Sequence, residues 1–320
     1  MRYRTLGRTG LSVSEIGYGA WGIGGGLWQG AVDSESIAAL HRAIELGLNF
    51  IDTALAYGEG HSEELVGRVV RETTETVYVA TKVPPKNRQW PARVGTKLED
   101  VFPPGYIVEA TNESLRNLGM EAVDLQQLHV WNPEWLAREE WLRDLETIKS
   151  TGKARFVGVS ITEHDPASAL ALVRSGLIDA IQVIYNVFDP TPEEALFPLC
   201  REHNVGVIAR VPFDEGSLTG TLKADTKFER DDFRAFYFRG QRLAEAVQRA
   251  AALQRDLGGR SLVDTALAFA LTDPAVSTVI PGMRTLRHVE ANLAVSGAEP
   301  LSREVLDVLR RHCWDKNFYR

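Results

Sequence analysis

Cysteine is nearly absent: the 320 residues contain two, Cys200 and Cys313, far apart and without metal-type spacing. That excludes a disulfide-stapled scaffold and a cysteine-held metal centre, and it suits reduced thiols in the cytoplasm. No basic cluster interrupts a chain of net charge -7, which argues against nucleic acid as a partner. No apolar run approaches the length that spans a bilayer, so no membrane is expected. The first residues, MRYRTLGRTG, contain no apolar stretch of the signal-peptide kind, so no export is expected. Low-complexity linkers are missing too, and residues 1-320 are expected to form one domain. Against these absences stand 44% hydrophobic and 25% charged residues, the balance of a soluble globular protein.

Short runs rich in Val and Ile alternate with segments of helical period. The strand-like runs are EIGYGA, NFIDTA, VYVATKV, VDLQQLHV, ARFVGVS, AIQVIY, VGVIAR and STVIPG. Strands that alternate with helices pair in parallel, because a parallel connection needs a crossover. Eight such units favour closure, so the expected fold is α/β, a (β/α)8 TIM barrel. YRTLGRTGLSVS reads as an N-terminal β-hairpin turning at Gly7–Gly10, and Asp33 or Ser34 is placed to cap the first helix. An insert from Asp214 to Gly240 follows the seventh strand, and extra helices lie in the C-terminal part.

Barrels of this kind place their chemistry at the C-terminal ends of the strands. The second strand ends at Asp52 with Tyr57 in the loop beyond, the third at Lys82, the fourth at His129 and the fifth at Ser160; the sixth carries Gln182. A phenol titrates near 10, too high for proton transfer at neutrality. A lysine ammonium beside it is expected to lower that value, and a carboxylate such as Asp52 to hold the lysine charged. An imidazole can donate to a substrate oxygen. The set suits giving a proton to a carbonyl oxygen, and hydride from a nicotinamide is the simplest partner reagent.

NFIDTALAYG, VYVATK, LQQLH and VGVS resemble the aldo-keto reductases, NAD(P)H-dependent enzymes on a TIM barrel, and the likeness runs over nearly the whole chain. The resemblance implies that Asp52, Tyr57, Lys82 and His129 form a catalytic tetrad with Tyr57 as general acid. It implies NADPH as cofactor, with NADH possible. Gly19 and Trp21 would meet the dinucleotide in the loop after the first strand, and Ser160 and Gln182 would hold the nicotinamide carboxamide. Arg210 stands where the family commonly stacks an aromatic on the nicotinamide. Pro212, Phe213, Glu215, Ser217, Leu218 and Gly220 would cover the pyrophosphate. Gly282, Met283 and Arg284 lead into the eighth crossover helix, with Arg284 on the 2′-phosphate and His288 and Asn292 at the adenine. Ile161 and Ala291 depart from the family pattern.

GYGAWG, Gly17 to Gly22, matches a G-x-G-x-x-G fingerprint, but the glycine-rich residues after it do not start a helix, which argues against a Rossmann site. Trp21, Tyr57, Trp90, His129 and Trp131 are expected to bind a small carbonyl substrate, the aromatic walls favouring apolar or aromatic aldehydes and ketones. Two other readings stay open: a cofactor-binding regulatory protein like the potassium-channel β subunits, and an NAD-dependent alcohol or sugar dehydrogenase working oxidatively.

Overall fold

Each of the eight apolar runs forms a strand in the computed structural model, which describes residues 1–161 and 163–319. A short antiparallel hairpin comes first, β1 (Tyr3–Thr5) and β2 (Ser12–Ser14), turning through Gly7–Thr9 with Gly10 left-handed at φ 70°. Then follow β3 (Tyr18–Gly19), β4 (Phe50–Asp52), β5 (Tyr78–Val83) and β6 (Val123–Leu128). The second half adds β7 (Ala154–Ser160), β8 (Ala180–Ile184), β9 (Gly206–Arg210) and β10 (Val276–Val279). These eight pair in parallel in chain order. Parallel bridges Ile16–Val279 and Gly19–Gly282 join the first to the last and close the ring.

Every residue of β4, β6 and β8 is buried, because helices cover the outside of the ring and side chains fill the inside. The interior layer includes Phe50, Leu125 and Ile208, and the hairpin residues Leu6, Leu11 and Val13 pack against it. A Cβ at Gly206 would lie 2.6 Å from Leu6 Cδ1, so the hairpin stoppers the N-terminal end of the barrel and leaves the other end open.

The first crossover helix runs Asp33–Glu45, with Val32 at its N-cap and no side-chain cap bond, so Asp33 and Ser34 lie inside the helix and do not cap it. The long insert carries a 3-10 segment, Asp214–Thr219, and a short helix, Phe233–Tyr237; helices Arg242–Asp256 and Leu262–Ala270 follow it. After the last helix, Arg303–Arg310, the chain returns to the open rim. There Lys316 Nζ donates to Asp214 Oδ1 at 2.7 Å and to the Tyr237 hydroxyl at 2.8 Å. Arg320 lies outside the described residues. Among those residues no helix is long and apolar enough to cross a membrane.

Candidate active site

Parallel register sets the first two functional groups side by side. Asp52 pairs with Ala80, two residues before Lys82 on the neighbouring strand. The Lys82 side chain is fully buried, and an ammonium there must satisfy its three donors within the protein. It does so on Asp52 Oδ2 (2.6 Å), the Thr53 carbonyl (2.8 Å) and the Tyr57 hydroxyl (3.2 Å). Asp52 Oδ1 accepts from Gln127 Nε2 at 3.1 Å and Gln182 Nε2 at 2.8 Å. The carboxylate is thus held on both oxygens, and the ammonium is aimed at the phenol.

Tyr57 belongs to the loop after β4, which presses on the loop after β3. A Cβ at Gly58, itself at φ 65°, would sit 1.9 Å from the Gly24 carbonyl oxygen, so the approach needs glycine. The Tyr57 ring stacks near Trp21 (6.1 Å between centroids, 26°) and meets His129 edge-on at 5.7 Å; Trp90 closes on the other side of His129 at 5.7 Å.

The electrostatics differ from the expectation in one respect. Burial pushes the Tyr57 phenol above its ordinary 10, and Lys82 and Arg210 only partly offset this. Lys82 acts in the expected sense, but the net direction is upward and the phenol keeps its proton. Burial, with Lys82 and Arg210 nearby, holds His129 well below 6.5 and therefore neutral. Its Nδ1 is buried and finds no partner among the described residues. A neutral phenol with an ammonium behind it, beside a neutral imidazole, can protonate an oxygen and steady the resulting phenolate.

Asp52, Tyr57 and His129 open into a cleft of about 870 Å³ at the C-terminal rim of the barrel, and Lys82 lies behind them. Gly19, Trp21, Ser160, Gln182, Arg210 and Pro212 line it, as do Phe213, Glu215, Gly282, Arg284, His288 and Asn292. Ser217, Leu218, Gly220 and Met283 do not; Ser217 Oγ turns to the Asp214 carbonyl at 2.9 Å, and Leu218 and Met283 are fully buried. Arg284 precedes Thr285, the N-cap of the helix Leu286–Leu293, so it stands before that helix and not in its first turn. Its Nη1 donates to the Gln29 carbonyl at 2.7 Å.

Trp90 walls the cleft, but Trp131 does not. The latter is buried against Trp135 and Trp141 and donates its indole N–H to the Ser168 carbonyl at 3.2 Å, so its expected substrate role is corrected to core packing. Gln182 faces the cleft, yet its amide is already engaged by Asp52. Sequence reasoning missed Gln127, Glu163, Phe233 and Arg234; a strand glutamine before the histidine was the only signal for the first. Trp28 also joins the wall.

The loop after β9 is strained and clamped. Val211, Asp214 and Glu215 sit at φ 56°, 49° and 55°. Tyr319, near the end of the chain, donates its hydroxyl to Glu215, whose carboxyl is pushed up to about 7 chiefly by burial. A dinucleotide fits this site on structural grounds. One cleft of that volume takes in both Tyr57 and Arg284, and buried polar atoms of His129, Arg210 and Glu163 lack partners among the described residues, as groups awaiting a ligand do.

Known proteins identify the family. The family model of the aldo/keto reductase family matches residues 15–313. Aldo-keto reductase YhdN of Bacillus subtilis is 31% identical over 309 residues, covering 93% of this chain and 89% of its own. NADH-specific methylglyoxal reductase of Escherichia coli is 29% identical over 330 residues, covering 97% and 100%. The holo form of aldo-keto reductase AKR11C1 from Bacillus halodurans superposes with a TM-score of 0.77 at 28% identity, over 98% of this chain and 96% of that one. A match of this extent, on a closed barrel with such a cleft, makes the chain a member of the aldo/keto reductase family of oxidoreductases, which act on carbonyl and alcohol groups.

Proposed function

We propose that the chain is a cytoplasmic, NADPH-dependent reductase of aldehydes and ketones. The observation that carries the reading is the Asp52–Lys82–Tyr57 chain of contacts at the floor of the cleft, with neutral His129 beside the phenol. The nicotinamide, when bound, supplies hydride to the carbonyl carbon. Tyr57 gives its proton to the carbonyl oxygen, Lys82 stabilises the phenolate, and Asp52 keeps Lys82 charged and aimed. His129 donates a hydrogen bond to the same oxygen. Trp21 and Trp90 keep water from the reacting groups and favour apolar or aromatic substrates. Turnover of 4-nitrobenzaldehyde with NADPH tests the reading; tight cofactor binding without turnover on a broad carbonyl panel would favour a regulatory protein instead.

The acid form of Tyr57 is present below its raised pKa and lost above it. Reduction should therefore hold level from about pH 7 to about pH 10 and fall only beyond, while alcohol oxidation, which needs the phenolate, should rise with pH. With His129 neutral throughout, no transition belongs near 6.5. The pH profile of kcat/KM in both directions checks this; a reductive decline through neutrality would contradict it.

Arg284, which lines the same cleft, is suited to a ribose 2′-phosphate. Arg284→Ala should weaken NADPH binding by roughly 10- to 100-fold and leave NADH nearly unchanged, the worth of one hydrogen-bonded charge pair. Fluorescence titration with both cofactors measures it, and unchanged NADPH affinity would remove the 2′-phosphate assignment. The relative named as NADH-specific is the reason to include NADH.

A further inference from the structure

Two cations act on Tyr57 and His129, and they are neutralised unequally. Lys82 meets Asp52 at 2.6 Å with all three donors used. Arg210, the last residue of β9, has a single contact of 3.4 Å with Glu163 Oε1, and another of its bonds goes to the Ile161 carbonyl at 3.2 Å. Arg210 Nε and Glu163 Oε2 are both buried without partners among the described residues. The two side chains are 16% and 13% exposed, and both line the cleft. The other nearby acid, Glu215, accepts from Tyr319, and with its carboxyl pushed up to about 7 it is only about half ionised near neutrality. Arg210 is therefore a poorly compensated positive charge whose field reaches both Tyr57 and His129.

A redox ring that reacts beside the Tyr57 hydroxyl must lie within the same field. The oxidised nicotinamide is a cation and the reduced one is neutral. We propose that Arg210 makes this cleft discriminate between the two redox forms, favouring the reduced cofactor and easing release of the oxidised one, with Glu163 limiting the bias. This rests on the reading of the cleft as a nicotinamide site. In reductive turnover it favours exchange of spent cofactor for fresh. It also separates the role of Arg210 from ring stacking, which would not distinguish the forms by charge.

The test is the ratio of dissociation constants for NADP+ and NADPH, read by quenching of tryptophan fluorescence, without substrate. The wild-type protein should bind NADPH more tightly. Arg210→Gln should reduce the ratio by roughly tenfold, as expected for loss of one partly screened charge, and Arg210→Lys should largely keep it. Glu163→Gln should raise the ratio, and it carries the test alone if Arg210→Gln does not fold. Equal ratios in wild type and Arg210→Gln, or a fall in Glu163→Gln, overturn the inference while leaving the cofactor assignment intact. Failure of the wild-type protein to bind either cofactor overturns both.

Discussion

Tyr57→Phe should lower carbonyl reduction by roughly 10³-fold while cofactor affinity stays about the same, because a positioned general acid contributes on the order of 10² to 10⁴. The phenol oxygen is the only part of the side chain removed, and its one described bond is to Lys82 at 3.2 Å. The ring keeps its contacts with Trp21 and His129, and Lys82 keeps Asp52 and the Thr53 carbonyl. Fold and cleft should therefore survive, and the loss should fall on kcat. The rate of NADPH oxidation with 4-nitrobenzaldehyde, with the dissociation constant for NADPH measured in parallel, reads both quantities. Full activity in the variant would remove Tyr57 as the acid and leave His129 as the group to test next.

The second large effect concerns the buried ion pair. Lys82→Met leaves the Asp52 carboxylate at 1% exposure with only the Gln127 and Gln182 amides as side-chain donors. Breaking a buried pair by removing one partner costs about 3–5 kcal/mol, whereas replacing both partners together is close to neutral. Lys82→Met alone should lose stability of that order in urea unfolding and lose reductase activity as well. Adding Asp52→Asn should restore most of the stability and none of the activity, since no ammonium remains to stabilise a phenolate. A double variant as unstable as the single one would mean that Lys82 serves packing more than pairing.

Much of the fold could be read along the chain. The eight strands fall on the eight apolar runs, because a strand covered on both faces has few places for polar residues, and the polar ones left over collect at the strand ends. That is why Asp52, Lys82 and His129 could be chosen before any geometry was known. The misses share a cause. Trp131 and Trp90 look alike in sequence, yet one is buried among Trp135 and Trp141 and the other faces the cleft. Which way an indole turns depends on partners supplied by neighbouring elements. The engagement of Gln182 by Asp52 spans 130 residues, and the clamp of Lys316 on Asp214 spans 102. No local pattern carries contacts of that range.

The sequence by itself determined the barrel and offered the candidate phenol, ammonium and imidazole, since alternation of apolar runs and the residue types at and just beyond their ends are local properties of the chain. Only the tertiary structure decided the protonation state of Tyr57, the imperfect pairing of Arg210 and which aromatics form the wall. Each of these is a balance of burial against distant charges and partners, and such a balance exists only once the chain has closed on itself.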